Sequence, residues 1–456
     1  MSASARLSCF KAYDIRGRIP DELDRGRVVA IARAYAAWLK PKKVAVGYDI
    51  RLTSPDFAAA VCEGLSASGV DVVDIGRCGT EQVYFATFHL KLDGGVMVTA
   101  SHNPADYNGL KLVREQAKPI SADTGLREIE QLTLAGSFET AHRAGTIEQA
   151  DLQADYVRHL LSYVDVASLA PLTVVSNPGN GGAGPIVEAL AAHLPFRFVH
   201  LHHEPDGRFP NGIPNPLLTE KRADTARAVT SSRADVGIAW DGDFDRCFLF
   251  DERGGFIEGY YVVGLLASQI LKRAKGARIV HDPRLIWNTI QVVREGGGVP
   301  VQSKSGHAFM KEVMRREDAA YGGEMSAHHF FKDFSYCDSG MIPWLLALEI
   351  MSHTGRPLSD LVAEHMRRFP TSGEINRKVA DARAVIETIR ERYGPHALDV
   401  DETDGVGMSF HAWRFNLRMS NTEPLIRLNV ESRGDPELLR AKTDELLGVI
   451  GGRAQD

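Results

Sequence analysis

The feature that most constrains the fold is a strand–helix–strand pattern that occurs three times before about residue 330. In the first copy, an amphipathic helix at about 25–39 accompanies the apolar, β-branched strands Val44–Val46 and Val96–Thr99. Alternation of this kind predicts mainly parallel sheets with helices on both faces. After about residue 370 the pattern changes, because Thr371–Val379 and Gly407–Phe415 alternate as in an antiparallel sheet.

The sequence therefore predicts an α/β protein. We expect three related α/β domains, with mixed, mainly parallel sheets around a central cleft, and a smaller α+β domain at the C-terminus. The expected boundaries are 1–150, 151–255, 256–368 and 369–456. A chain of 456 residues is too long for one hydrophobic core, which also favours several domains.

Composition excludes several classes of protein. The formal net charge of −6 argues against nucleic acid as a partner, because neutralising phosphates needs a basic face. The five cysteines include no C-x-x-C pair, so neither a zinc site nor a disulfide framework is expected. The N-terminus lacks an apolar signal segment, and no apolar run is long enough for a bilayer. We expect a cytoplasmic protein with no membrane partner.

A polar loop follows the strand Val96–Thr99. Its residues are Ser101-His102-Asn103-Pro104, and Asn-Pro favours a turn while proline prevents a helix. Open α/β sheets carry their sites at the carboxyl ends of their strands, which is where this serine lies. A Ser-His pair in a loop is common, so its chemistry depends on the other loops.

The second polar loop contains Asp241, Asp243 and Asp245, spaced two residues apart. Such spacing in an extended turn directs alternate carboxylates toward one point, which suits a hard cation. An EF-hand is excluded, because its sixth position would be Arg246 instead of glycine. We infer one Mg²⁺ per chain; the alternative is a solvated acidic turn.

Three further loops have polar side chains in turns. Gly323–His328 offers Glu324 and Ser326, and a carboxylate can accept from both of two vicinal sugar hydroxyls. Lys304–His307 places a lysine and a histidine at a glycine turn. Arg418–Arg427 combines two guanidinium groups with hydroxyl and amide donors, which suits a phosphate dianion. Alone, these loops could also be a helix start, an ordinary turn and an exposed basic turn.

A glycine-rich segment, Gly179–Gly184, matches the dinucleotide pattern G-x-G-x-x-G, and Glu204 follows about twenty residues later. It opens the second repeat, and no neighbouring residues suggest hydride chemistry. We interpret it as a tight turn between strand and helix, with a nicotinamide-dependent oxidoreductase as the less favoured alternative.

Together the loops resemble a known family. Thr99–Pro104, Asp241–Arg246, Gly323–His328 and Arg418–Pro424 resemble, in order, the four motifs of the α-D-phosphohexomutase superfamily. The resemblance extends from about Phe10 to the last helix and is closest to the bacterial phosphomannomutase/phosphoglucomutase group.

The resemblance implies a phosphoryl group on Ser101, with Mg²⁺ held against it by Asp241, Asp243 and Asp245. The other catalytic residues that it implies are Arg16, His102, Lys111, Arg246, His307 and His328. Which of the last two histidines is the general base stays open. The substrate-binding residues that it implies are Arg284, Lys304, Glu324, Ser326, Arg418, Ser420, Asn421, Thr422 and Arg427. Two positions depart from the family pattern, Met419 and Ala327, where a small residue and a glycine are usual.

The implied activity is the interconversion of mannose 1-phosphate and mannose 6-phosphate, and of the glucose phosphates. Phosphoserine gives its group to the hexose phosphate, and hexose 1,6-bisphosphate is both the intermediate and the activator. If Glu324 and Ser326 hold the 3- and 4-hydroxyls, the 2-position is not distinguished, so both sugars are expected. Hexose phosphates are the expected partners, and a monomer or weak dimer is the expected state. The alternatives are a phosphoserine-forming, metal-dependent sugar phosphatase and an inactive sugar-phosphate sensor.

Overall fold

The computed structural model describes residues 6–139, 141–419 and 425–454. The chain forms two compact units. The first consists of Met1–Phe256 and His328–Gly355, and the second consists of Ile257–Ala327 and Arg356–Asp456. The finer division into four domains stays a prediction.

The first α/β region contains a mixed sheet in the order β1–β5–β4–β2–β3–β7, with β6 paired to β5. Strands β2, β3, β4 and β7 are parallel to their neighbours within this set, whereas β5 is antiparallel to β4 and β1. The strands are β1 Ile15–Arg18, β2 Lys43–Tyr48, β3 Asp71–Arg77, β4 Gly94–Val98, β5 Tyr107–Arg114, β6 Lys118–Pro119 and β7 Ile147–Gln149. The helices are α1 Arg25–Leu39, α2 Ser54–Ala67, α3 Thr80–His89 and α4 Arg127–Ala135.

Helices cover both faces of this sheet. Successive strand residues point to opposite faces, so Val44 and Val46 of β2 pack in one cluster with residues of α1, α2 and α4. Ala45 points the other way and packs with Ala86 of α3. The strand β4 is buried throughout. This arrangement confirms the predicted layers and leaves the serine loop at the end of a rigid central strand.

The second α/β region has the strand order β11–β10–β8–β9, parallel except for the antiparallel pair β10 and β11. Its strands are β8 Thr173–Asn177, β9 Arg197–His200, β10 Val236–Trp240, β11 Cys247–Phe250 and β12 Phe256–Ile257. Its helices are α5 Gln153–Leu161, α6 Gly184–Ala191 and α7 Ala223–Ser232. The acidic loop connects β10 to β11.

The second unit begins with a third region in which β13 is parallel to both β14 and β15. Its elements are α8 Gly259–Arg273, β13 Arg278–His281, α9 Trp287–Glu295, β14 Val299–Gln302, α10 His307–Glu317 and β15 Tyr321–Gly323. The chain then returns to the first unit with β16 His329–Phe331, β17 Cys337–Asp338 and α11 Ile342–Thr354.

The C-terminal region is an antiparallel sheet in the order β19–β20–β21–β22–β18–β23. One face packs on helices, because alternate residues such as Phe415 and Leu417 share a core with Leu446 and Ile450. The elements after residue 355 are α12 Leu358–Arg368, β18 Thr371–Lys378, α13 Ala382–Tyr393, β19 Asp399–Asp401, β20 Val406–Ser409, β21 Trp413–Met419, β22 Leu425–Ser432, α14 Pro436–Ile450 and β23 Arg453–Ala454. This smaller α+β region confirms the predicted fold class.

The segment Gly407–Phe415, which alternates as in an antiparallel sheet, contains a turn between the antiparallel strands β20 and β21. Phe410 N donates to Trp413 O at this turn, at 2.8 Å. The apolar alternation continues through the turn, since the rings of Phe410 and Trp413 stack with centroids 4.3 Å apart. The apolar alternation by itself therefore does not reveal the turn between β20 and β21.

Within the described residues, no helix combines the length and the apolar character that a membrane span needs. All five cysteines are buried, and none of them forms a disulfide.

A buried carboxylate joins α3 to the start of α11. Glu81 Oε1 accepts from Ser339 Oγ at 2.7 Å and from the Tyr156 hydroxyl, and Oε2 accepts from Gly340 N at 2.5 Å. Burial raises the pKa of Glu81 from 4.5 to about 8, although these hydrogen bonds oppose the rise. The side chain therefore links segments that are far apart in sequence.

This raised pKa makes folding stability depend on pH. The folded protein binds the Glu81 proton more tightly than the unfolded chain, so this contribution is complete below about pH 4.5 and is lost as pH rises through about 8. We expect the melting temperature of the Glu81→Gln variant to fall less between pH 6 and pH 9 than that of the parent. Thermal unfolding followed by circular dichroism measures this, with the exposed Glu63→Gln as control. Equal pH slopes in parent and Glu81→Gln would contradict the assignment.

Candidate functional site

Ser101 lies in the loop directly after β4, as the sequence predicts. Its side chain is buried, and its φ of 48° places the residue in the left-handed region. A residue other than glycine held there costs about 1–3 kcal/mol, so the surroundings must fix it. Its backbone N donates to Thr99 Oγ1 at 2.8 Å, which closes the loop on the strand end.

The acidic loop is in direct contact with this serine. Ser101 Oγ donates to Asp241 Oδ2 at 2.8 Å. A Cβ on Gly242 would lie 2.6 Å from the Ser101 backbone oxygen, so only glycine allows the two loops this close. Asp243 Oδ2 accepts from Thr80 Oγ1 at 2.6 Å, which ties the loop to the start of α3.

Two buried cations offset part of the negative charge of the three aspartates. Lys111 Nζ is 2.7 Å from Asp243 Oδ2 and 2.6 Å from Asp245 Oδ2. Arg246 donates through Nε and a terminal nitrogen to Asp241 Oδ2, at 2.9 and 2.7 Å. Burial opposes the charge on Lys111, yet the two carboxylates outweigh burial and raise its pKa. Burial would likewise raise the pKa of Asp243 and Asp245, but Lys111 helps to lower both.

The acidic loop retains oxygens that fit a divalent cation. Asp241 Oδ1 and Asp243 Oδ1 are buried and have no hydrogen-bond partner among the described residues. Ligand atoms of Asp241, Asp243 and Asp245 all lie within 4.8 Å of one another. Unsatisfied buried carboxylate oxygens are costly, and Mg²⁺ accepts such oxygens as ligands. The residues present therefore suit the predicted metal.

Two further predicted residues lie at the serine loop: His102, which belongs to it, and Arg16, which contacts it. His102 Nδ1 is 3.0 Å from Ser101 Oγ and accepts from Arg246. Burial, then Arg246 and Arg16, holds the pKa of His102 well below its usual value, so the ring is neutral. Arg16 donates to Asn103 Oδ1 at 2.7 Å. His102 thus contacts Ser101 itself, and Arg16 contacts Asn103 of the same loop.

Sequence reasoning missed Arg51, which holds the whole serine loop. Its terminal nitrogens donate to the backbone oxygens of Pro104 at 2.7 Å, Tyr107 at 2.9 Å, Ser101 at 3.0 Å and Asn103 at 2.6 Å. The side chain is 2% exposed. A usable signal was its position just beyond β2, which neighbours β4 in the sheet and ends at the same edge.

The structure separates the two histidines that the sequence left as alternatives. His328 lies in the first unit, with Nε2 3.7 Å from Asp245 Oδ1, and its backbone forms a bridge with Arg246. His307 is the first residue of α10 in the second unit. His328 therefore lies beside the acidic loop.

The second unit brings the predicted sugar-binding residues together. Glu324 Oε1 accepts from Gly306 N at 2.8 Å, between Lys304 and His307 in the chain. Arg284 lies 3.6 Å from the Glu324 carboxylate and 3.3 Å from Ser326 Oγ. These residues therefore form one polar cluster around the turn that follows β15.

Asp282, which sequence reasoning missed, holds this cluster in place through two hydrogen bonds. Its Oδ2 accepts from Arg284 at 2.6 Å and from Met325 N at 2.8 Å. Ala327 has a φ of 69°, in the left-handed region. The loop thus adopts a left-handed conformation at this position although the residue is alanine. Glycine adopts this conformation more easily, and glycine is usual here in the family.

The C-terminal arginines also share a partner that the sequence did not reveal. Arg418 on β21 and Arg427 on β22 both contact the Glu374 carboxylate, at 3.0 and 3.3 Å. The predicted phosphate-binding residues Ser420, Asn421 and Thr422 lie outside the described residues.

The glycine-rich segment packs against the acidic loop. Gly182 N donates to Gly242 O at 3.1 Å, and a Cβ on Gly181 would lie 3.0 Å from that oxygen. A Cβ on Gly179 would lie 2.5 Å from Pro214. These glycines thus permit close packing within the protein, and the nicotinamide alternative is not supported.

Comparisons with known proteins agree over the whole chain. It is 57% identical over 451 residues to a phosphomannomutase from Salmonella montevideo, covering 97% of this chain and 99% of the relative. It is 58% identical over 446 residues to a Xanthomonas campestris pv. campestris protein named phosphohexose mutases, covering 98% and 100%.

Solved structures show the same fold. A phosphoglucomutase/phosphomannomutase family protein from Burkholderia thailandensis has a TM-score of 0.88 at 32% identity, covering 98% of this chain and 99% of that one. Parafusin, a phosphoglucomutase from Paramecium, has a TM-score of 0.77 at 16% identity, covering 96% and 94%, which is a likeness of fold alone.

The family models for phosphoglucomutase/phosphomannomutase match in chain order. The α/β/α domain I matches residues 8–140, domain II residues 154–255, domain III residues 258–369, and the C-terminal domain residues 374–447. The chain therefore belongs to the phosphoglucomutase/phosphomannomutase family of phosphohexomutases, which are isomerases.

Proposed function

We propose that the chain interconverts the 1- and 6-phosphates of mannose and glucose through a phosphoserine at Ser101. The observation that carries this proposal is the contact of Ser101 Oγ with Asp241, 2.8 Å away, inside a cluster of three carboxylates and two cations. Transfer of a phosphoryl group is catalysed mainly by positioning the reactants and by neutralising charge, and this cluster offers both.

In the first step the bond between phosphorus and Ser101 Oγ breaks, and phosphorus bonds to the free hydroxyl oxygen of the hexose phosphate. Ser101 Oγ gains the equivalent of the proton that this hydroxyl gives up. The product is a hexose 1,6-bisphosphate, which also activates enzyme molecules that have lost their phosphoryl group. We assign the proton of the attacking hydroxyl to His328, because this histidine lies beside Asp245, whose carboxylate stabilises the protonated ring.

The bisphosphate then binds in the opposite orientation and returns its other phosphoryl group to Ser101. This relay replaces one difficult transfer by two easier ones. Lys111 and Arg246 hold the loop carboxylates in place, while Arg16 and His102 line the serine. When bound by Asp241, Asp243, Asp245 and the phosphoserine, Mg²⁺ supplies charge neutralisation for the transferring group.

The second unit supplies sugar and phosphate recognition in this proposal. Glu324 accepts from sugar hydroxyls, and Ser326 donates to them or accepts from them, with Arg284 beside Ser326. Lys304 and His307 belong to the turn whose Gly306 N donates to Glu324, and we assign them to substrate binding as well. Arg418 and Arg427 bind the phosphate that is not reacting, together with Ser420, Asn421 and Thr422. No group is assigned to the 2-hydroxyl, which is why both mannose and glucose are substrates. The cytoplasmic location and the monomer or weak dimer stay predictions.

The Ser101→Ala variant tests the relay. We expect its mutase activity to fall by at least about 10⁴-fold, because the nucleophile is lost. Mass spectrometry should find phosphate on the Ser101 peptide of the parent, removed by incubation with hexose monophosphate. If the parent releases inorganic phosphate from mannose 1-phosphate without forming the 6-phosphate, the phosphatase alternative is correct.

The Asp241→Asn variant tests the metal site. Mg²⁺ at about 100 times its dissociation constant should stabilise the parent by about 2.7 kcal/mol, and the variant should lose most of this gain. Melting temperature with and without Mg²⁺ measures it, with the exposed Asp123→Asn as control. A gain that survives in Asp241→Asn would place the metal elsewhere.

The Arg51→Met variant tests the clamp on the serine loop. Losing the four bonds to loop carbonyls should misplace Ser101 and lower kcat about a hundredfold. The kcat of Arg51→Lys should lie between those of the parent and Arg51→Met, because a lysine keeps the charge but cannot form the same set of hydrogen bonds. Steady-state kinetics on folded samples measures this, with the exposed Arg158→Met as control. A kcat of Arg51→Met equal to that of the parent would show that the loop holds without the clamp.

A further inference from the structure

Two arginines of the second unit face one another across neighbouring strands. Arg418 on β21 is the direct partner of Arg427 on β22 in the antiparallel register. Like charges in this position repel one another and destabilise the strand pair. A counter-ion between them is therefore expected on physical grounds alone.

Glu374 on β18 is that counter-ion. Its Oε2 lies 3.0 Å from a terminal nitrogen of Arg418 and 3.6 Å from one of Arg284, and its Oε1 lies 3.3 Å from one of Arg427. Other carboxylates lie near one of these arginines: Asp404 is 3.9 Å from Arg418, and Asp282 and Glu324 are 2.6 and 3.6 Å from Arg284. One carboxylate thus contacts three guanidinium groups.

The charge state of Glu374 follows from these contacts. Its side chain is 22% exposed, and the side chains of Arg418 and Arg284 are 14% and 5% exposed. Burial would raise the pKa of Glu374, but Arg418, Arg284 and Arg427 outweigh burial and lower it. The carboxylate is therefore ionised at neutral pH.

We propose that Glu374 is a built-in competitor of the substrate phosphate at Arg418 and Arg427. The proposal rests on the proposed function, in which these two arginines bind the phosphate that is not reacting. A carboxylate and a phosphate dianion use the same fork of guanidinium donors, so Glu374 must share or yield them when the substrate binds.

The competition has a kinetic purpose. The bisphosphate must be released from one orientation and bound in the other during each cycle, so a phosphate held too tightly would slow turnover. Tighter binding of substrate and transition state alike lowers KM without raising kcat. Glu374 keeps the arginines together in the free enzyme and limits their hold on the ligand.

The competing explanation is that Glu374 only supports the arginines. In that case neutralising it would let Arg418 and Arg427 repel one another, and phosphate binding would weaken. The two explanations therefore predict opposite changes in affinity for the same variant.

The test compares Glu374→Gln with Glu374→Asp, which keeps the charge, and with the exposed Glu387→Gln as matched control. In the Ser101→Ala background, calorimetry measures the Kd of glucose 6-phosphate and of inorganic phosphate without turnover. We expect Glu374→Gln to lower both Kd values roughly three- to tenfold, with Glu374→Asp and Glu387→Gln near the parent. With Ser101 intact, Glu374→Gln should show a lower KM together with a lower kcat.

Unchanged or weakened binding in Glu374→Gln would overturn the proposal, and so would equal tightening in Glu374→Asp. If the parent neither binds hexose phosphates nor interconverts them, the proposed function fails instead. The inorganic phosphate titration still tests Glu374 in that event, so the two failures are distinguishable.

Discussion

The structure of the first unit depends on the compensation of buried charge around Ser101. Asp241, Asp243 and Asp245 are almost fully buried, and charges buried without partners would cost several kcal/mol each. Lys111 and Arg246 supply those partners from β5 and from the acidic loop itself. Within the described residues, two carboxylate oxygens of the cluster have no hydrogen-bond partner. The cluster therefore retains ligands that suit a further cation, which the proposed phosphoryl group on Ser101 would require.

Arginine has a second use in both units, which is to fix loops that carry chemistry. Arg51 binds carbonyl oxygens along the serine loop and so holds Ser101 in a conformation that the isolated loop would avoid. Arg284 joins Asp282, Ser326 and Glu374 in the second unit. A rigid guanidinium fork suits this role, because each bond that it forms constrains the others.

Much of the fold was readable from the sequence, because strands and helices impose different periods on apolar residues. The helices Arg25–Leu39 and Trp287–Glu295 follow such patterns. The turn between β20 and β21 does not interrupt the apolar alternation, because two stacked aromatic side chains continue it through the turn. Gly179–Gly184 resembled a cofactor loop, and only the structure shows Gly181 and Gly182 packed against Gly242.

The sequence by itself determined which polar loops follow which strands, and therefore that Ser101 and the three aspartates belong to strand ends. Local patterns suffice for this, since a strand's end and its turn residues are adjacent in the chain. The tertiary structure decided which distant side chains meet: Arg51 with the serine loop, and Glu374 with Arg418 and Arg427. Those contacts depend on strand order and register. Both arise from packing over the whole unit, so no single segment of the sequence determines them.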